Sequence, residues 1–145
     1  MKILNDEKLS NFELHSKIIS NKKIVDDCNV FEKINNFNSY NSKNINFKES
    51  RSGELYIYYP LNVLVKKSIK YNSLHELIDE IRKAYKKIYN EENITMNKTI
   101  KNNSSLLNRG TSNGKYGIWG HDIDDLYISS IVIYENGIID LGIDS

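Results

Sequence analysis

Cysteine is nearly absent from this chain. Cys28 is the one thiol, which excludes an intrachain disulfide and any zinc site built on cysteines alone. Proline and alanine also occur once each, at Pro60 and Ala84, while Asn, Ile and Lys abound. Such a bias reflects base composition more than chemistry, so polar Asn- and Lys-rich stretches carry little functional weight. No apolar run approaches the roughly 18–20 residues that cross a bilayer. The stretch from Met1 to Glu7 lacks the apolar segment of a secretory signal. The expectation is a cytoplasmic, reduced protein with no membrane contact.

Charge of one sign is missing from one end. From Tyr116 onward there is no Lys or Arg, whereas Asp122, Asp124, Asp125, Glu135, Asp140 and Asp144 all lie there. The whole chain carries 20 basic and 19 acidic groups, a net charge of +1. A total near zero gives no strong generic attraction to nucleic acid. The distribution makes the chain two-sided, with a basic body and an acidic end. Its 145 residues suit a single domain spanning 1–145, and a hydrophobic share of 39% suffices for one core.

The strongest local signal is residues 73–91. Leu74, Leu77, Ile78, Ile81, Ala84, Tyr85, Ile88 and Tyr89 recur at helical spacing as one apolar stripe. Ser73 followed by Glu76 is a capping-box pattern, and acidic groups early with basic groups late suit the helix dipole. A shorter helix is expected within residues 6–20, where Leu9, Phe12 and Leu14 fall near helical spacing. Residues 54–59 read as a strand ending before Pro60, which lacks the amide for a ladder. Beyond it a second strand competes with a helix over 60–70. Residues 35–50 and 92–115 read as long polar loops.

The C-terminus reads as a hairpin, with Asn136-Gly137 as a two-residue turn between β-branched runs. That turn sets Tyr134 opposite Ile139 and Val132 opposite Leu141. Ile128, Val132, Tyr134, Ile139, Leu141 and Ile143 would then share the face under the helix. The other face would carry Ile131, Ile133 and Ile138 beside Tyr127, Glu135 and Asp140. The expected fold is α+β: an antiparallel sheet including a C-terminal β-hairpin, with one long amphipathic helix packed on it.

Chemical signatures are incomplete. Gly110 to Lys115 has three residues between its glycines where a phosphate loop needs four, and Tyr116 stands where Ser or Thr would hold magnesium. Trp119-Gly120-His121-Asp122-Ile123-Asp124-Asp125 is the densest run of functional residue types. Leu126 and Ile133, however, occupy ligand positions of a calcium loop, and no second His is near in sequence. Carboxylates beside Cys28 raise its pKa rather than activate it, so a structural thiol is expected. Ten tyrosines without interleaved cations read as packing, not base stacking. No cofactor or metal is indicated.

Taken in chain order, the helix from Leu74 to Tyr89, the stretch Tyr116-Gly117-Ile118-Trp119-Gly120-His121-Asp122-Ile123-Asp124-Asp125-Leu126, and the hairpin ending Gly142-Ile143-Asp144-Ser145 form a recognisable sequence. It resembles the small bacterial immunity proteins of contact-dependent growth inhibition and related polymorphic toxins. The resemblance implies a cytoplasmic α+β protein that is not an enzyme and blocks one cognate toxin domain by binding it. Binding residues vary with the toxin in that family, so none carries over. The acidic end supplies the candidates: Trp119, His121, Asp122, Asp124, Asp125, Glu135 and Asp140, facing a basic domain such as a nuclease. Two other classes remain open, a small hydrolase or metal-dependent enzyme using His121 with nearby Asp residues, and a nucleic-acid-binding module using the basic body.

Overall fold

A computed structural model of the protein describes residues 1–96 and 110–145. Its strands are β1 (Lys2–Leu4), β2 (Ile24–Lys33), β3 (Asn46–Ile57), β4 (Leu64–Ser73), β5 (Tyr127–Tyr134) and β6 (Ile138–Asp144). Two helices, α1 (Asn11–Ile19) and α2 (Leu74–Thr95), accompany them. The strands form one sheet in the order β1-β4-β3-β6-β5-β2. The expected α+β class holds, with two corrections. The sheet is mixed, because β3 and β6 pair in parallel while the other neighbours are antiparallel. The chain segment between β3 and β6 includes α2, and a long crossover of that kind is what a parallel pair requires. A second, shorter helix also contributes to the packing.

Ser73 explains how strand passes into helix without a loop. It is the last residue of β4, and its side chain accepts the Glu76 amide at 3.2 Å as the N-cap of α2. Before it, Val65, Ile69 and Tyr71 alternate toward the main core, with Lys67 reaching Glu80 of α2 at 3.9 Å. The competing reading of 60–70 thus resolves as a strand beginning at Leu64. α2 buries the expected stripe, Leu74, Leu77, Ile78, Ile81, Ala84, Tyr85 and Ile88. α1 is held by a full capping box between Ser10 and Glu13. It packs Leu14, Ile18 and Ile19 on the opposite sheet face, beside Tyr56, Leu64 and Ile138. Within the expected 35–50 loop, β3 already begins at Asn46; of the expected 92–115 loop, residues 97–109 lie outside the described ones.

The hairpin face differs from its expectation by one residue. Ile133 pairs with Ile139 and Ile131 with Leu141, while Val132 pairs with Asp140. Asn136 (φ 65°) and Gly137 (φ 79°) both take positive φ as foreseen, but Glu135 joins them in a three-residue turn. A one-residue slip exchanges faces. Ile131 and Ile133 therefore enter the main core in place of Val132 and Tyr134, beside Ile139 and Leu141, which lie there as expected, and Tyr134 packs with the α1 cluster. An irregularity between Ile128 and Ser130 lets Ile128, paired with Ile143, regain the core side. Gly137 cannot be replaced cheaply: a Cβ there would lie 2.8 Å from the Ser52 carbonyl, in a left-handed conformation. Gly137→Ala is expected to cost at least about 1–2 kcal/mol, read as a lowered midpoint in urea denaturation.

Candidate partner-binding corner

The sheet ends in an acidic corner where β5 begins and β6 finishes. A short 3-10 turn, Ile123–Asp125, leads into β5, and the strand register places Asp144 opposite Tyr127, two residues after Asp125. Asp122, Asp124, Asp125 and Asp144 are all exposed there, and Tyr127 is exposed beside them. The turn itself is closed by Asp125, whose Oδ2 accepts the Asp122 amide at 3.2 Å. Asp124 accepts the side-chain amide of Asn35, tying the corner to the segment after β2. The same register brings Lys33 opposite Tyr127. Asp122 and Asp125 thus shape the turn while leaving their charge at the surface.

Aromatic rings support the corner from beneath. Trp119 is half-buried and meets Tyr59 edge-on, with centroids 5.0 Å apart. The Trp119 amide donates to the Pro60 carbonyl at 3.0 Å, and Asn62 donates to the Gly117 carbonyl at 2.9 Å, so residues 117–119 dock on the β3–β4 connection. The Tyr85 hydroxyl donates to the Tyr59 carbonyl at 2.7 Å, and that of Tyr89 to the His121 carbonyl at 2.9 Å. Burial, with the Asp122 and Asp125 carboxylates nearby, holds the Tyr89 phenol well above its ordinary pKa. It stays a donor and fixes the His121 backbone.

His121 meets the Ser145 hydroxyl at 3.2 Å, and Ser145 meets the Tyr59 hydroxyl at 2.7 Å. A Ser–His contact alone does not make a nucleophile, which also needs an orienting group on the imidazole. His75, in the first turn of α2, uses its Nε2 against the Ser42 carbonyl at 2.8 Å. It lies fourteen residues before Tyr89, roughly 21 Å along the helix. His15 sits on α1, paired with Asp140 at 2.7 Å and stacked on Tyr58. The three histidines therefore do not converge. Among the described residues, no group of three or more His, Cys, Asp or Glu is placed to hold a metal. The Cys28 thiol, half-buried on β2, is pushed up by burial first and then by Asp26 and Asp27.

Five of the seven sequence candidates come together: Trp119, His121, Asp122, Asp124 and Asp125. Two do not. Asp140 faces α1 and is engaged by His15. Glu135 lies in the hairpin turn, roughly 25 Å along β5 from the corner, where its amide donates to the Lys23 carbonyl. Asp144, which the sequence already places in the acidic end, and Tyr127 are the additions, brought to the corner by strand register. The Gly110–Lys115 stretch also gains a role. Amides of Gly114 (2.9 Å), Tyr116 (2.7 Å) and Gly117 (3.3 Å), with the Ser112 hydroxyl, surround the buried Glu92 carboxylate. The loop is a nest for an anion, and the anion is the protein's own α2 side chain.

Matched against family models, curated proteins and solved structures, the chain finds no counterpart. Among the described residues, no helix is long and apolar enough to cross a membrane.

Proposed function

We propose that this protein is an immunity-type binding protein that acts in the cytoplasm, capturing one cognate toxin domain and blocking it without performing chemistry itself. The observation that carries the reading is the acidic corner: four exposed carboxylates near Tyr127, where β5 begins and β6 ends. Such a patch fits the cationic cleft of a basic toxin, such as a nuclease, and would speed its capture by electrostatic steering. Trp119 and His121, both half-buried, lie in the segment that leads into that corner. The resemblance of the helix, the Tyr116–Leu126 stretch and the hairpin to bacterial immunity proteins points the same way.

Co-expression tests it. A toxin domain encoded beside this chain should arrest growth alone, and the wild-type chain should relieve the arrest. Relief lost in the Asp124→Asn, Asp125→Asn, Asp144→Asn variant at equal protein level supports the corner. Arrest that persists with wild-type chain present in excess would refute the reading.

A further inference from the structure

The two faces of β2 differ near its end. Val30, Glu32 and Ile34 are buried, Glu32 against Arg82 of α2, so Phe31 and Lys33 point to the sheet face away from α2. Phe31 is 68% exposed, more than any other apolar side chain on the strands. The pairing with β5 is irregular there and sets Val30 and Phe31 against Ser129 alone, the kind of bulge that re-aims a side chain. On the same face Lys33 stands opposite Tyr127, and Tyr127 opposite Asp144. Tyr127 is 38% exposed.

α1 covers the other half of this face. Its Leu14, Ile18 and Ile19 pack beside Tyr56, Leu64, Ile138 and Tyr134. Tyr134 lies seven residues along β5 from Tyr127, roughly 23 Å away. Two aromatic rings are thus left bare at the end where Asp122, Asp124, Asp125 and Asp144 are exposed. Those carboxylates outweigh Lys33, so the surround is negative. The strand edge itself is engaged at this point. The Phe31 carbonyl accepts the Asn41 side-chain amide, and the Lys33 carbonyl accepts the Arg82 Nε. A partner therefore meets side chains here and not a free ladder.

We propose that Phe31, flanked by Tyr127, is the apolar anchor of toxin capture, seated in a hydrophobic recess bordered by Lys or Arg on the basic toxin domain. The proposal rests on the reading of this protein as an immunity-type binder and adds what the carboxylates alone do not supply. Exposed charges mainly steer the encounter and set the association rate. Dissociation is governed by a few buried contacts at the interface centre, where aromatic rings are favoured. A bare ring beside steering charges is complementary to a surface that is both cationic and recessed. A second copy of this chain would bring its own carboxylates to the same patch, like charge against like.

Stopped-flow binding of the toxin domain encoded beside this chain separates the two roles. Phe31→Thr keeps a β-branched residue in the strand. It should speed dissociation about thirtyfold or more and leave the association rate within about twofold of wild type. Phe31→Tyr keeps the ring and should stay within about threefold of wild type. Val25→Thr removes a comparably bare side chain, 58% exposed, six residues up β2 and roughly 20 Å away. It should change neither rate. A wild-type dissociation rate in Phe31→Thr, with wild-type binding intact, overturns the anchor and leaves toxin capture standing. Equal acceleration by Val25→Thr also overturns the anchor. A wild type that does not bind the toxin overturns toxin capture and the anchor together. A free chain that sediments as a dimer at about 100 µM, and as a monomer once Phe31 is replaced by Thr, assigns the patch to a second copy and overturns the proposal.

Discussion

Glu32→Ala should lower the unfolding free energy by about 3–5 kcal/mol, the range for breaking a buried charge pair by removing one partner. Glu32 on β2 and Arg82 on α2 are both buried, with Nη2 and Oε1 3.5 Å apart. The Arg82 Nε donates to the Lys33 carbonyl at 2.9 Å, while its terminal nitrogens make no hydrogen bond. Glu32 is much better satisfied. It accepts the Asn41 amide at 2.9 Å and the Ser42 amide at 2.7 Å, together with the Ser42 hydroxyl. It therefore clasps the segment after β2 over α2, assisted by the Tyr40 hydroxyl on Asp79 at 2.7 Å. Deleting Glu32 strands a buried guanidinium and two amides at once. Arg82→Met leaves a carboxylate that still has its donors, so it should cost distinctly less. Urea unfolding of both variants decides this, and an equal or reversed order would contradict the network.

The pH dependence carries the same signature. Burial pushes the Glu32 carboxyl up, but the Ser42 hydroxyl, the Asn41 and Ser42 amides and Arg82 together outweigh it and hold the pKa below the usual range. A carboxyl lowered on folding stabilises the protein fully above its unfolded value, about 4.3. That contribution is lost as pH falls through the lowered folded value. The stability gap between wild type and Glu32→Gln should therefore narrow below about pH 4.

The second large effect is kinetic. Neutralising Asp124, Asp125 and Asp144 to Asn should slow association with the toxin domain about tenfold or more at low salt, while dissociation changes less. Raising the ionic strength should slow the wild type toward the variant, since exposed charges are screened beyond about 10 Å at 0.1 M salt. Asparagine keeps an acceptor at position 125, so the turn bond to the Asp122 amide survives. Glu135→Gln, at the far end of β5, should leave the rate unchanged. Stopped-flow binding over a salt series separates these outcomes. Equal slopes for wild type and variant would move the interface elsewhere, to the outer face of α2 for example.

Much of this fold was legible because single residues carry strong local preferences. Ser73 with Glu76, and the apolar stripe that follows, specify α2 without help from the rest of the chain. Asn136-Gly137 marked the hairpin, since few other pairs accept positive φ twice. What failed was counting. One extra turn residue, Glu135, exchanged the faces of β5 from Ile131 to Tyr134, one irregularity near Ser129 returned Ile128 to the expected side, and neither has a signal in composition. β4 was obscured by Lys66-Lys67, which look like solvent yet sit within the strand between the buried Val65 and Ile69. Arg82 and Glu92 lie on the buried side of α2, but a charged residue is read as exposed until its partner is known. Those partners, Glu32 and the 112–117 amides, are distant in sequence. The acidic end was visible as a run of residues. Its division into a corner, a turn and a helix-facing Asp140 is set by strand register alone.

Titration calorimetry of the purified chain with the toxin domain encoded beside it tests the central claim most directly. One toxin should bind per chain with nanomolar affinity, and the toxin's activity should fall in proportion to the complex formed. No heat of binding at micromolar concentrations, together with turnover of a nucleic acid or ester by the chain alone that His121→Ala abolishes, would contradict it.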